Sequence, residues 1–388
     1  MKIGIDARVL AKAPHTGVGV FTQEMMSSLF RNFPEERFVI FSSSGKPASS
    51  LVAAFKKYRN AALYHVAIPN RVLDLLFRMF SYPKLDRMVG GVDVWFSPHM
   101  LLTPLSKAPR VLVIHDLSFV RFPEFYSLAS RGHRLWHWLM DPKTQAQRAA
   151  QLVVLSHSTA KDLETLWGIS NKRIAHVLSG IPESPIASRN DSLSVAFREK
   201  YRLSEGYIAY LGELAPRKNI FGIIRAFEML QQKANQSNRM LVLAGPWGWG
   251  RSEVERVIGR SAKKNQIRVL GYISDEEKPA LYTDADVFVY PSFFEGFGFP
   301  PLEAMAAGVP VIISNRGALP ESAGEAALMV DPYKPEELAE VMAQVLEDRG
   351  LRETLRAKGL AHAAKFSWDR AAQEMMGVLR VVIRENRA

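Results

Sequence analysis

Short apolar runs alternate with helical patterns along the whole chain. In the first half, seven runs rich in β-branched and aromatic residues predict strands. They are Lys2–Val9, Arg37–Ser43, Ala62–Ile68, Asp93–Ser97, Arg110–His115, Gln151–Ser156 and Arg173–Leu178. Six runs follow in the second half: Tyr207–Leu211, Met240–Ala244, Ile267–Leu270, Val287–Tyr290, Val309–Ser314 and Ala327–Val330. Helical segments such as Asn219–Lys233 and Lys334–Asp348 lie between them. This alternation predicts an α/β protein with two doubly wound, Rossmann-like domains.

The alternation is interrupted at a polar stretch, Glu183–Asp191, which has several serines, Pro185 and no periodicity. We therefore predict an N-terminal domain at residues 1–182, a linker at 183–205 and a C-terminal domain at 206–367. The tail at 368–388 is amphipathic and helical, and can pack on either domain. Parallel sheets bind ligands at the carboxyl ends of their strands, so two such domains in tandem are expected to face a central cleft.

Composition places the chain among globular proteins and excludes several kinds of site. With 388 residues, 47% of them hydrophobic and 23% charged, it is long enough for two domains. No apolar run approaches the length of a membrane-spanning helix, and the first residues form a strand pattern rather than a signal peptide. The lack of cysteine excludes disulfides and thiolate metal sites, and it fits a cytoplasmic protein.

The net charge of +11 is concentrated in the first half. Residues 1–190 contain 24 lysine and arginine residues against 13 acidic ones, whereas the rest of the chain has 26 of each. This asymmetry indicates an anionic partner for the first half: phospholipid, a lipid phosphate or nucleic acid. Basic and apolar residues are mixed in residues 71–87, which we predict as one interfacial helix, and around Arg131–Trp138. Buried helices with solvated charges fit these two patterns equally well.

The stretch from Tyr290 to Pro310 is the most informative part of the sequence. A strand leads into a loop with Gly296 and Gly298, and two prolines then open a helix predicted at Leu302–Ala307. Loop amides and a helix N-terminus together predict an anion site.

Two carboxylates accompany this anion site. Glu295 lies in the loop among phenylalanines, and Glu303 lies in the first turn of the predicted helix. The pair suits hydrogen bonds from the hydroxyls of two sugars. It also suits the acid/base pair of a glycosidase, and Glu303 alone would stabilise the helix dipole. A ligand with both phosphate and hydroxyl groups accounts for the anion site and for both carboxylates.

Two further loops suit phosphate. Gly17 and Gly19 follow the first strand, but Thr22 replaces the third glycine of a dinucleotide fingerprint. The alternative for this loop is a flexible turn. Arg217 and Lys218 precede a helix, where cations oppose the helix dipole. A bound diphosphate would resolve that conflict. Arg217 would donate two parallel hydrogen bonds to it, and Lys218 would supply a compact positive charge. The alternative is two solvated cations.

Polar residues also follow two strands of the first half. His115 and Asp116 come at the end of one strand, and His99 follows another. At a strand carboxyl edge these side chains are candidates for substrate contact, although a lone histidine is as often structural. No acidic or histidine cluster has metal-ligand spacing. Asp284-Ala-Asp286 precedes its strand, so we predict a loop and helix cap there.

Several of these motifs resemble one family. Glu295 and Glu303 reproduce the E-x7-E motif of the retaining glycosyltransferases of family 4, within a segment, Pro291–Val311, that is typical of that family. The loop Gly212–Asn219 resembles its diphosphate-binding loop, and Phe366–Trp368 its approach to the C-terminal helix. The resemblance covers nearly the whole chain and is most specific in the second half. It implies the GT-B fold, with the tail helix crossing back to the first domain.

The resemblance also implies roles for particular residues. The catalytic residues would be His115, Arg217, Lys218 and Glu295. The donor-binding residues would be Gly17, Gly19, Gly245, Tyr272, Ile273, Gly296, Phe297, Gly298, Phe299 and Glu303, with Gly245, Tyr272 and Ile273 around the base. Glu303 would accept hydrogen bonds from the ribose and Glu295 from the donor sugar, with His115 over that sugar. His99 and Asp116 are candidates on the acceptor side. No metal or other cofactor is implied, because the cations stabilise the leaving diphosphate.

The donor and acceptor follow from finer similarity. The form of residues 212–219 resembles mannosyl- and deoxyhexosyltransferases of surface polysaccharide assembly, so GDP-mannose or a GDP-deoxymannose is the expected donor and a UDP-sugar the alternative. The expected acceptor is a saccharide, lipid-linked and reached at an anionic membrane surface. A nucleic-acid-binding protein would leave the E-x7-E loop unexplained. A GT-B sugar-nucleotide epimerase is a further rival.

Overall fold

The structure is a computed structural model that describes residues 1–11, 16–45, 54–126, 131–181, 191–232 and 239–387. The side chains of residues 131–134 and 191 lie outside this description. The chain divides into two compact units. The N-terminal unit comprises Met1–Gly180 with Phe366–Ala388, and the C-terminal unit comprises Ile181–Lys365. Each contains a parallel sheet with helices, which confirms the predicted α/β class with two doubly wound domains.

The N-terminal unit has a seven-stranded parallel sheet in the order β3-β2-β1-β4-β5-β6-β7. Its strands are β1 Lys2–Asp6, β2 Arg37–Ser43, β3 Ala61–Val66, β4 Val94–Ser97, β5 Arg110–Ile114, β6 Gln151–Val154 and β7 Ile174–His176. Its helices are α1 Gly17–Asn32, α2 Asn70–Phe80, α3 Leu85–Met88, α4 Ser118–Arg121, α5 Arg131–Met140, α6 Pro142–Arg148 and α7 His157–Trp167. Strands β4 and β5 are buried at every position, because helices cover both faces of the central strands.

The C-terminal unit has a six-stranded parallel sheet in the order β10-β9-β8-β11-β12-β13. Its strands are β8 Tyr207–Leu211, β9 Leu241–Ala244, β10 Ile267–Gly271, β11 Ala285–Tyr290, β12 Val311–Ser314 and β13 Leu328–Val330. Its helices are α8 Asp191–Tyr201, α9 Ile220–Leu230, α10 Arg251–Arg260, α11 Lys278–Thr283, α12 Phe299–Ala306, α13 Leu319–Ala323, α14 Pro335–Glu347 and α15 Arg349–Ala363. The sheet order reverses at β8 and β11, where ligand sites of open α/β sheets form.

The predicted linker and the tail both contain a helix. Of the predicted linker, residues 183–190 lie outside the described part, whereas Asp191–Tyr201 form α8, which packs on α11. The tail forms one long helix, α16 Trp368–Arg387, which packs on α1 within the N-terminal unit. Asp369 of α16 accepts a hydrogen bond from Arg31 at 2.5 Å, and Arg387 pairs with Asp93 at 2.6 Å.

All thirteen predicted strands are present, two of them with the predicted bounds and the others with ends that differ by at most three residues. Two other predictions are wrong. Residues 71–87 do not form one helix, because α2 ends at Phe80, Ser81 is left-handed with φ 48°, and Pro83 cannot continue a helix. Asp286 is not in a loop: β11 begins at Ala285, and Asp286 pairs with Arg239.

No helix in the described ranges is long and apolar enough to cross a membrane.

Candidate active site

A buried ionic cluster lies where the adjacent strands β8 and β11 end. The loop after β8 carries Arg217 and Lys218, and the loop after β11 carries Glu295. Lys218 Nζ donates to Glu295 Oε1 at 2.6 Å and to the Tyr290 hydroxyl at 2.8 Å. Arg217 Nη1 lies 3.2 Å from Glu295 Oε2 and donates to the Phe294 carbonyl at 2.6 Å. The structure therefore brings together three of the four predicted catalytic residues.

Burial and charge set the protonation of this cluster. Glu295 is 7% exposed and Lys218 is 8% exposed. Burial alone would raise the pKa of Glu295, but the charges of Arg217 and Lys218 outweigh it and lower the pKa to about 2. Burial lowers the pKa of Lys218 below its ordinary value, although Glu295 attracts its charged form. Glu295 is thus a fixed anion shared by two cations, and the exposed Glu213 attracts Lys218 as well.

An asparagine ties the two loops together. Asn219 has φ 59°, a left-handed conformation that asparagine tolerates better than most residues. Its Nδ2 donates to the carbonyls of Pro291 at 3.1 Å and Pro332 at 2.7 Å, and its Oδ1 caps α9 at the amide of Gly222. This one side chain holds the loop of Lys218 against the loop of Glu295.

The second carboxylate lies in α12. This helix begins at Phe299, three residues before the predicted start, because Pro300 and Pro301 occupy its first turn. Glu303 consequently lies beyond the first turn, so the dipole role considered above is wrong for it. Its carboxylate is 8% exposed and accepts a hydrogen bond from the Tyr282 hydroxyl at 2.8 Å. Burial and the Glu303 charge hold the pKa of Tyr282 above its usual range, so this phenol remains a donor.

The loop before α12 requires glycine. Gly298 precedes the helix with φ 105°, and a Cβ there would lie 2.6 Å from Leu319. Its neighbours are packed: Phe297 is buried, and its ring lies 5.1 Å from that of Phe299. The backbone of Gly296–Phe299 thus enters the helix at the same sheet edge as the ionic cluster.

The predicted base-binding residues follow the next two strands. A Cβ on Gly245 would lie 1.9 Å from the Gly212 carbonyl, so glycine lets the loops after β8 and β9 touch. The Gly245 amide donates to the Gly271 carbonyl at 2.7 Å, so the end of β10 also contacts these loops. Tyr272 is half exposed, whereas Ile273 is buried. These residues lie on the same carboxyl edge as the cluster.

The N-terminal unit carries the remaining predicted residues. Gly17 is exposed at the start of α1, but Gly19 is buried and its amide donates to the Thr16 hydroxyl at 3.2 Å. The helix cap therefore already uses the Gly19 amide that was predicted for phosphate. Residues 12–15 of this loop lie outside the described part.

His115 and His99 form a neutral pair at the carboxyl ends of β5 and β4. His115 Nε2 donates to the Pro98 carbonyl at 2.8 Å, which leaves Nδ1 as the acceptor of the neutral ring. Burial lowers the pKa of His115. The two ring centroids are 6.0 Å apart, and burial, with a smaller contribution from the neighbouring His115, lowers the pKa of His99 to about 3. Asp116, by contrast, accepts hydrogen bonds from the amide and hydroxyl of Ser118, the first residue of α4.

Sequence reasoning missed the tyrosines and the asparagine of the site. Tyr290 and Tyr282 lie in apolar runs and have the pattern of core residues. The Tyr282 hydroxyl donates to Glu303, 21 residues later, and the Tyr290 hydroxyl accepts from Lys218, 72 residues earlier, so no local signal marks them. Asn219 adjoins the cations, and its type at a helix start is the one available signal.

Metal ligation has no support in the described residues, in which no group of three or more histidine, aspartate and glutamate side chains is arranged to hold an ion.

The fold and site define a two-domain transferase of the GT-B class. A family model described as glycosyl transferases group 1 matches residues 196–362. The O-antigen chain mannosyltransferase B of Escherichia coli is 32% identical over 98% of this chain and 100% of its own length. The serotype-specific mannosyltransferase WbdA of Escherichia coli is 31% identical over 75% of this chain and 36% of its own. The chain therefore belongs to the group 1 glycosyltransferases.

Solved structures agree on the fold. HepE from Anabaena, solved with UDP and glucose, superposes with a TM-score of 0.74 at 18% identity, covering 98% of this chain and 100% of that one. Both the family resemblance and the GT-B class expected from the sequence are confirmed.

Proposed function

We propose that this glycosyltransferase moves a mannosyl or deoxyhexosyl group from a nucleotide-sugar to a saccharide acceptor in surface polysaccharide synthesis. The supporting observation is the Arg217–Lys218–Glu295 cluster, in which two adjacent cations meet one buried carboxylate at the carboxyl edge of β8 and β11. GDP-mannose or a GDP-deoxymannose is the proposed donor, in keeping with the mannosyltransferase names of the relatives. A UDP-sugar is the alternative.

The cations would act on the leaving group. When the bond between the sugar anomeric carbon and the diphosphate breaks, negative charge develops on the phosphate oxygens. Arg217 and Lys218 are held in place before the reaction by Glu295, Tyr290 and the Phe294 carbonyl. Such preorganised charges stabilise the transition state without reorganisation, and they remove the need for a metal ion.

The glutamates would bind hydroxyls rather than transfer protons. A general acid needs a raised pKa, whereas the pKa of Glu295 is lowered to about 2. This argues against the acid/base pair of a glycosidase and for a fixed acceptor of donor-sugar hydroxyls. Glu303, held by Tyr282, would accept the ribose hydroxyls. Gly245, Tyr272 and Ile273 would contact the base.

The N-terminal unit would supply the rest of the reaction. We assign Gly17 to the phosphates and the neutral His115 to a donor-sugar hydroxyl, with His99 toward the acceptor. Neither histidine has the pKa of an efficient base at neutral pH. We therefore propose that the acceptor hydroxyl attacks the face from which the diphosphate leaves. Its proton passes to the departing phosphate oxygen, and the anomeric configuration is retained.

The acceptor is proposed to be lipid-linked, and the protein to work at the cytoplasmic face of the membrane. The net charge of +11 carried by residues 1–190 supports attraction to anionic lipid.

Calorimetric titration with GDP, UDP and ADP, each at matched concentration, tests the donor. We expect saturable binding of GDP that is at least about tenfold tighter than that of UDP, a difference near 1.4 kcal/mol. Turnover of GDP-mannose with a mannose-terminated acceptor should then release GDP, and the product anomer can be assigned by NMR. Tighter binding of UDP than of GDP would identify a UDP-sugar as the donor instead. A product with the inverted anomeric configuration would exclude the retaining step.

A further inference from the structure

Helix α2 has an apolar face on each side. Leu73 and Phe77 are buried against the sheet, as expected of a covering helix. Val72, Leu75 and Met79 recur at three- and four-residue spacing on the opposite face, with exposures of 49%, 48% and 60%. A surface helix normally presents polar side chains there.

The apolar surface continues beyond this helix. Phe80 and Tyr82, just after it, are 69% and 68% exposed. Helix α5 packs beside α2 and adds Leu135 and Trp138, which are 54% and 47% exposed. We refer to these seven side chains as the α2–α5 patch. Singly scattered apolar residues need no explanation, but a contiguous group of large ones marks an interaction surface.

Positive charges outnumber accessible negative ones around the patch. Residues 70–87 contain four cations, Arg71, Arg78, Lys84 and Arg87, of which Arg78 pairs with Asp141 at 3.2 Å. The two acidic residues of the same stretch are buried: Asp74 pairs with Arg8, and Asp86 accepts hydrogen bonds from the amides of residues 106–108. Arg78 also lies 5.3 Å from the Trp138 ring centroid, so cation and aromatic ring are adjacent.

A cavity adjoins the patch at the end of α2. It has a volume of about 390 Å³, and Ser81, Lys84, Arg110 and Arg148 are among its lining residues. Arg110 is buried and its guanidinium donates to Ser97 and to the Leu101 carbonyl, so Lys84 and Arg148 are the remaining cations of this lining. Two cations beside a space of this size suit the phosphate of a lipid headgroup, which the neighbouring apolar side chains would let approach from the membrane side.

We propose that the α2–α5 patch docks the N-terminal unit on an anionic phospholipid surface. The apolar side chains enter the boundary between headgroups and acyl chains, Trp138 and Tyr82 lie at headgroup level, and the flanking cations contact phosphates. A second copy of this chain is a poorer occupant, because two surfaces rimmed by cations repel each other. This assignment rests on the proposed function in so far as the acceptor is lipid-linked, but it does not depend on which sugar is transferred.

Flotation with vesicles tests the proposal. Wild-type protein should bind phosphatidylglycerol vesicles in preference to pure phosphatidylcholine vesicles, and high salt should weaken the binding without abolishing it. The double variant Leu75→Glu with Met79→Glu should lower the apparent affinity by about tenfold or more, because it places charge in the apolar boundary. Both positions are exposed, so folding is preserved. Leu360→Glu is the matched control, since Leu360 is 43% exposed on α15 in the C-terminal unit, and it should bind like wild type.

Three outcomes would overturn the proposal. The first is that wild-type protein shows no binding to phosphatidylglycerol vesicles, which is the result expected if the patch binds another protein. The second is an unchanged affinity in the double variant, and the third is lipid-free dimerisation that this variant abolishes. Nucleotide binding by the same variants should stay at the wild-type level, which separates failure of the docking surface from failure of the proposed function.

Discussion

Each unit pairs an arginine with a buried carboxylate, yet the two clusters differ in what surrounds them. In the N-terminal unit, Arg8 is 1% exposed and contacts Asp6 at 2.6 Å and Asp74 at 3.0 Å, with a further hydrogen bond to the Leu102 carbonyl. In the C-terminal unit, two cations share Glu295, and the Arg217 side chain is 16% exposed. The first cluster is closed to solvent, and its single cation already pairs with two carboxylates. The second is richer in cations and reaches the surface.

This difference separates a structural cluster from a binding site. A sealed guanidinium with two carboxylates has no position for a ligand, and it pins the segment after β4 through Leu102 and Thr103. The cluster at β8 and β11 offers cations at a sheet edge that also holds the start of α12. The two carboxyl edges differ in the same way, since the N-terminal edge presents the neutral His99 and His115. A charged edge suits a diphosphate and a neutral edge suits hydroxyls.

The largest expected effect is on the sealed cluster. Arg8→Met should lower the free energy of unfolding of the N-terminal unit by about 3–5 kcal/mol, because it leaves Asp6 and Asp74 buried without their cation. Urea denaturation followed by tryptophan fluorescence measures this change. Arg349→Met, at an exposed ion pair on α15, should change stability by less than about 1 kcal/mol. Equal losses in the two variants would contradict the distinction drawn here.

A substitution in the cluster at β8 and β11 should lower activity rather than stability. Lys218→Ala should lower kcat by about 10²-fold or more, as for loss of one preorganised donor to a developing anion, while the protein remains folded. Initial rates with saturating donor give kcat, and circular dichroism confirms folding. Lys200→Ala is the control, since Lys200 is an exposed lysine of the same unit paired with Glu277. A wild-type rate in the Lys218 variant would remove the lysine from the mechanism.

The sequence predicts elements well and contacts between them less well. Apolar runs located every strand, because buried parallel strands are short, continuous and β-branched. Residue type and position before a helix identified Arg217 and Lys218, and the phenylalanines around it in a glycine-bearing loop identified Glu295. That Lys218 and Glu295 touch depends on β8 and β11 being neighbours, which no local pattern encodes. The end of α2 was missed because its apolar spacing continues past Ser81, whereas the left-handed backbone there is set by the fold.

The smallest expected effect is on donor binding, and it tests whether Tyr282 acts on Glu303 or only on the packing of α11. Tyr282→Phe removes the hydroxyl that donates to Glu303, so the carboxylate loses the partner that would orient it for the proposed ribose contact. We expect the KM for the donor to rise by about tenfold with little change in kcat, since the ribose is bound equally in ground and transition states. Tyr207→Phe is the matched control, because its buried hydroxyl donates to the Leu281 carbonyl of the same helix, α11, but does not bond Glu303. Both variants should lose a similar amount of stability, and only Tyr282→Phe should weaken nucleotide binding in calorimetry. Equal changes in KM would show that these tyrosines act through the packing of α11 alone, and the ribose role of Glu303 would then lose its structural support.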